Sequence, residues 1–221
     1  MSAPAGQLLG SLLKVSDGPL TPRLLATLQA VDAVHGDGNV GTVSVDHGGI
    51  SPHLGMFFPG SPPRIAIRVK QLEPGLTLLH EVGHLLDNTG IEPGRGWRSL
   101  AEDPRLAPWW RAVSNSDLYL RFVQLSGQDR MRVPKSWGSG YDYAAVDQSK
   151  VKDRLEPREL FARSYAQYIV VESGEALLRQ ELDHARSGRQ AMMHPEHWPD
   201  DDFEPIRVEM DLLIRSLGWR I

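Results

Sequence analysis

The first clear hydrophobic pattern in the chain has the helical period. Leu24, Leu25, Leu28 and Val31 share one face after Thr21-Pro22. That spacing predicts a helix capped by Thr21, with Pro22 in its first turn and Gly36 past its end. The period then changes to two. Residues 40–45 and Arg64 to Lys70 alternate and are expected to be strands. A loop rich in Gly and Pro, His53 to Pro63, joins them and carries Met56-Phe57-Phe58.

The helical period returns at Pro74 and lasts to about Thr89, where Gly90 and Pro93 stop it. Residues 104–126 are expected to be helical, with Trp109, Trp110, Leu118, Leu120 and Phe122 in the core. Residues 127–155 carry no period and are expected to be irregular. Helices follow from Pro157 to Val171, from Gly174 to Arg186, and from Asp202 to Leu217. The last has Phe203, Ile206, Met210, Leu213, Ile214 and Leu217 on one stripe. A helix, a few strands and then a run of helices predicts an α+β fold. We expect one domain over residues 1–221. Residues 1–19 would be loosely ordered, 20–90 would hold helix, sheet and a polar-striped helix, 91–155 would be an inserted segment, and 156–221 would be helical.

Composition narrows the chemistry. The chain has 221 residues, 24 Lys and Arg against 28 Asp and Glu, and a formal net charge of −4. No basic excess or stripe suggests nucleic acid as a partner. No apolar run approaches the length of a membrane span, so no membrane partner is expected. The N-terminus is a poor secretion signal, which makes the cytoplasm the default, with delivery by a specialised secretion or phage route as the alternative. There is no cysteine, so disulfides, thiol catalysis and Cys-based metal sites are excluded. A metal site must draw on the eight histidines and the carboxylates.

The helix after Pro74 contains His80-Glu81-Val82-Gly83-His84, an H-E-x-x-H pattern. Histidines four apart leave one face of a helix a single turn apart, and two neutral imidazoles so placed can hold one zinc ion, Zn2+. Glu81, at the edge of that face, can reach a water without being a ligand. Thr77, His80, Glu81, His84, Asp87 and Asn88 form a polar stripe on an otherwise apolar helix, which suggests burial around a polar site. Two hydrogen-bonded histidines would be the plainer explanation of the pair. A catalytic zinc needs a third protein ligand. The H-E-x-x-H-x-x-G-x-x-H class is excluded by Gly90. Glu159, placed in the first helical turn by Pro157, is the leading candidate, and Glu156 is the reserve. Ala162 and Ala166 share the face of Glu159 and, opposite Gly83, would let two helices approach closely. Asp87 is a candidate acceptor for an imidazole N–H. His194 and His197 are expected to be structural.

The HEVGHLLD stretch and the later E-L-F-A-R-x-Y resemble the gluzincin zinc peptidases of the anthrax lethal-factor and Mlc-titration-factor type. They are also similar to metallopeptidase-like domains on phage and mobile-element polyproteins. The resemblance covers mainly residues 76–88 and 141–171. It implies a zincin-like fold with a small N-terminal mixed sheet, an active-site helix and a helical C-terminal part. It also implies an edge strand beside the cleft, which Arg64 to Lys70 would supply for an extended peptide. By the same resemblance, Tyr143 or Tyr141 would help to stabilise an oxyanion. The expected activity is hydrolysis of peptide bonds in a peptide or protein substrate, with zinc on His80, His84 and Glu159 and Glu81 as general base. The alternatives are a zinc-binding assembly module without catalysis, or an effector protease with one host target. Loops 53–63 and 127–139 would set subsite preference.

Overall fold

The computed structural model describes residues 7–48, 52–100, 103–135 and 139–220. The architecture is α+β with a small mixed sheet. The chain enters the sheet early. Helix α1 (Leu9–Leu12) leads directly into strand β1 (Leu13–Val15), and Leu9 and Leu13 are fully or almost fully buried. The expectation of loose order is therefore corrected for residues 9–15, and residues 1–6 lie outside the described ones. Leu9, Leu12 and Leu13 cover the sheet end and α2 (Thr21–Asp32), which outweighs the weak local helical period of LGSL. In α2, Leu20 is the cap, and the Thr21 hydroxyl donates to the Ser16 carbonyl instead. Leu25 is exposed, and Thr27 and Ala30 take the inner positions.

Strands β2 (Val43–His47), β3 (Gly55–Phe58) and β4 (Arg64–Ile67) complete the sheet in the order β1-β2-β4-β3. The first three neighbours run parallel, and β3 pairs antiparallel to β4, with Phe57 opposite Ile65. This corrects two expectations. The loop from His53 to Pro63 contains a strand, because Met56-Phe57-Phe58 finds its partner in β4. The edge strand is β3, since β4 is covered on both sides.

Helix α3 (Pro74–Leu85) lies against β3 and β4, and a π-helical turn, Leu86–Gly90, extends it. The first N–H groups of a helix have no partner within it. Here Leu76 N–H donates to the buried Glu181 carboxylate at 2.7 Å, and Arg23 Nε donates to the same group at 2.9 Å. Residues 104–126 are broken into α4 (Ala107–Ser114) and α5 (Asp117–Leu125) after a 3-10 turn. The break falls at Ser116, whose hydroxyl accepts from Tyr119 N–H and from the Trp198 indole at 3.0 Å. Asp202 also accepts from the N–H groups of Asp117 and Leu118.

The segment expected to be irregular holds an antiparallel hairpin, β5 (Arg130–Pro134) and β6 (Tyr141–Ala145), then helix α6 (Gln148–Leu155). Met131 and Val133 bury one face of the hairpin. Helices α7 (Pro157–Ser173), α8 (Ala176–Ala185), α9 (Gly188–Met193) and α10 (Asp200–Ser216) follow. Gly174, at φ 64°, ends α7 in the left-handed region that suits glycine. Helix α7 is central, packed on α3 and flanked by α2, α6, α8 and α10. Its long buried stretch, from Leu160 to Val170, includes Arg163, Ser164 and Gln167. Each of these polar residues has a partner, as buried polar groups require. Among the described residues no helix is long and apolar enough to cross a membrane.

Candidate metal centre

The α3–α7 contact sets the geometry. A Cβ on Gly83 would lie 2.7 Å from Ala162 Cα and 3.0 Å from its carbonyl oxygen. Only a glycine fits there, and Ala162 and Ala166 keep α7 equally slim. The close approach brings a short acidic side chain on α7 to the two imidazoles on α3. His80 Nε2 is 3.2 Å from Glu159 Oε2, and His84 Nε2 is 3.3 Å from Glu159 Oε1. The rings stand edge to face, 4.6 Å apart.

This group could hold a metal ion. Its donors are two imidazole nitrogens and a carboxylate, a set that suits zinc. The spacing also fits, since ligands at about 2.0–2.1 Å around a tetrahedral ion stand about 3.3 Å apart. Burial raises the proton affinity of Glu159, but hydrogen bonds and charge from His80 and His84 outweigh it and hold the carboxyl well below the usual range. Burial lowers that of His80, and the Glu159 hydrogen bond and the charges of Glu159 and Glu81 reverse this to a net rise.

Glu81 is buried beside the group. Burial raises its proton affinity, against the pull of His80 and His84, and the Phe57 backbone N–H donates to it. Edge strand β3 sits tightly on this side chain. A Cβ on Gly55 would come within 2.6 Å of Glu81 Oε1 and of Thr77 Cγ2. An open cavity of about 210 Å³ reaches Glu81, His80 and Glu159, with Gly55 and Leu54 on one wall.

The other expected residues lie elsewhere. Asp87 is fully buried but turns to Ser99, accepting from its N–H at 2.8 Å and its hydroxyl at 2.5 Å. It does not accept from His84, whose Nδ1 has no partner among the described residues. Asp87 lies within the π-helical turn that follows Leu85, and both its carboxylate oxygens are taken by Ser99. Trp97 instead packs its edge on the His84 ring at 5.5 Å, under the Arg158 guanidinium. Glu156 pairs with Arg158 and stays outside the group. Tyr143 is 65% exposed on the outer face of the hairpin, with Tyr141. Their rings pack under Arg130 and Arg132, and neither lines the cavity. The alternation of β6 sends both rings outward once Met131 and Val133 take the inner face.

Three cavity residues carried no local signal. Arg154 and Arg163 form part of one wall, and His197 another. His197 is almost fully buried, and its Nδ1 has no partner among the described residues. Burial, with the Arg163 charge second, keeps its ring neutral well below the ordinary histidine range. The loop is held by Trp198, whose N–H and C=O both pair with the Gln167 amide on α7, at 3.1 and 3.0 Å. No protein-family model and no curated protein sequence matches the chain.

Proposed function

We propose that the chain is a zinc-dependent endopeptidase of zincin type that hydrolyses peptide bonds with Glu81 as general base. The observation that carries this reading is the convergence of His80, His84 and Glu159 beside a buried, non-ligand carboxylate on an open cavity. A purely structural zinc site gains nothing from that carboxylate or from the open side.

Bound to the three donors, zinc supplies Lewis acidity toward a peptide carbonyl and acidifies a water beside it. His80, His84 and Glu159 would hold the ion, and Gly83 sets the spacing of the two helices that carry them. Glu81 takes a proton from the attacking water and returns it to the leaving amide nitrogen. The side of β3 away from β4 has no strand partner among the described residues, so an extended peptide can add there by backbone hydrogen bonds. The donor to the oxyanion is His197 in this reading, not Tyr143. It lines the cavity, and its loop is clamped by the Gln167 amide, so its ring is held in place there as a preorganised donor.

Glu81→Gln tests the reading. It is expected to keep one zinc per chain and to lose cleavage of a peptide library that the parent cleaves and a chelator protects. Full cleavage by the variant overturns the mechanism, and zinc binding without any cleavage by the parent favours the assembly module.

A further inference from the structure

Two arginines face the same cavity and are held in different ways. Arg163, on α7, is tied to the chain itself. Its Nη2 donates to the Asp153 carbonyl at 2.8 Å and its Nη1 to the Arg154 carbonyl at 3.5 Å. Those bonds fasten the end of α6 to α7, which is a structural task. Burial and then the neighbouring Arg154 charge lower its proton affinity to about 10, so the two guanidiniums feel each other.

Arg154, in the last turn of α6, has no such backbone partners. Its side chain is 10% exposed. Its two terminal nitrogens pair with the carboxylates of Asp153 and Glu196, which are 46% and 56% exposed. Its Nε is buried with no partner among the described residues. A cation taken out of water needs counter-charge and hydrogen bonds. Here both counter-charges are solvated groups that can return to water at little cost. The planar fork of a guanidinium matches a carboxylate. Leu54, Leu76 and Ala185 line the same cavity and can take the methylenes that carry one.

We propose that Arg154 is a subsite for a carboxylate of the bound peptide, either an Asp or Glu side chain or the chain terminus, and that Glu196 occupies this place in the free protein. That the ligand is a peptide rests on the peptidase reading. Arg154 is then a specificity residue, and it selects acidic segments.

The test uses the zinc-loaded full chain carrying Glu81→Gln, which allows binding without turnover. It is offered pools of short amidated peptides with one fixed Glu, or with Gln in its place. The Glu pools are expected to be retained about tenfold better, the share of one charge-assisted hydrogen bond. Arg154→Gln is expected to reduce this preference below about twofold. Glu196→Gln, which removes the competing carboxylate, is expected to raise it. Better retention of a Gln pool with a free C-terminus, and of no amidated pool, identifies the terminus as the source. Equal retention of the amidated Glu pool, the amidated Gln pool and the Gln pool with a free C-terminus, or a preference that survives Arg154→Gln, overturns the proposal. If Arg154→Gln does not fold, an unchanged preference in Glu196→Gln overturns it. Cleavage of the same pools by the parent protein reports on the peptidase reading separately. Selective binding without cleavage refutes only that reading, and cleavage without selectivity refutes only the subsite.

Discussion

Gly83→Ala probes the link between helix packing and the metal group. On helical propensity alone, alanine in place of a mid-helix glycine gains about 1 kcal/mol. The contact with α7 opposes this. The added Cβ would stand 2.7 Å from Ala162 Cα, where an ordinary contact begins at 3.4 Å, so α7 must retreat by roughly 0.7 Å. The atoms struck are backbone, and no rotamer change relieves them. Overpacking of a close-packed interior costs about 1–3 kcal/mol, and backbone contact places this site at the upper end. The net loss is about 1–2 kcal/mol, a fall in Tm of about 2–8 °C for a chain of this size. The same retreat separates Glu159 from His80 and His84. Ligand distances in a zinc site tolerate about ±0.2 Å, so zinc affinity is expected to fall at least about tenfold. Thermal unfolding with chelator present reads the first quantity, and competition against a chromogenic chelator reads the second. Ala162→Gly is not expected to rescue the variant, because Cα, C and O remain. A Gly83→Ala protein that melts no lower than the parent and binds zinc equally well refutes the argument.

Two further outcomes follow from other buried groups. His35 is fully buried, with Nδ1 bonded to the Gly36 carbonyl at 2.8 Å and Nε2 to the Tyr165 hydroxyl at 2.7 Å. Burial lowers its pKa to about 4, so it stays neutral in the fold while the unfolded chain takes up a proton below about 6.5. Its contribution is complete above pH 6.5, shrinks as pH falls toward 4, and is flat below; the whole loss is about 3 kcal/mol. Urea unfolding at pH 7 and pH 4.5 should show this loss in the parent and a clear reduction of it in His35→Gln, and equal pH dependence in the two proteins contradicts it. At the cavity, His197→Gln is expected to lower kcat about 10²- to 10³-fold with zinc affinity unchanged. Tyr143→Phe is expected to leave kcat as it was, and the reverse ranking in steady-state assays returns the oxyanion role to the hairpin.

What could be read from the chain depended on how far each residue's partner lay along it. His80 and His84 meet within one helical turn, so their spacing alone placed them on one face. Pro157 marks the start of α7 by local stereochemistry, and Gly83 with Ala162 signals a close helix pair, whereas Gly174 closes α7 and does not open the next helix as expected. Strand β3 was hidden because Gly55–Phe58 gains its hydrogen bonds from β4, and its local composition is that of a loop. The break at Ser116 was hidden for a similar reason. Its hydroxyl caps α5, but the indole it also receives comes from Trp198, 82 residues away. Tyr143 shows the opposite failure. A Tyr-Ala-Ala stretch is a local likeness, and the direction of its side chain is set by which face of the hairpin Met131 and Val133 bury. The cavity wall combines these cases. Arg154 ends one helix, His197 lies on a loop held by Gln167 of another, and Gly55 sits in an edge strand. The histidine pair is a property of one helix and therefore legible. The groups that would choose a substrate are brought together only by tertiary packing, so they have no period, spacing or motif in the chain.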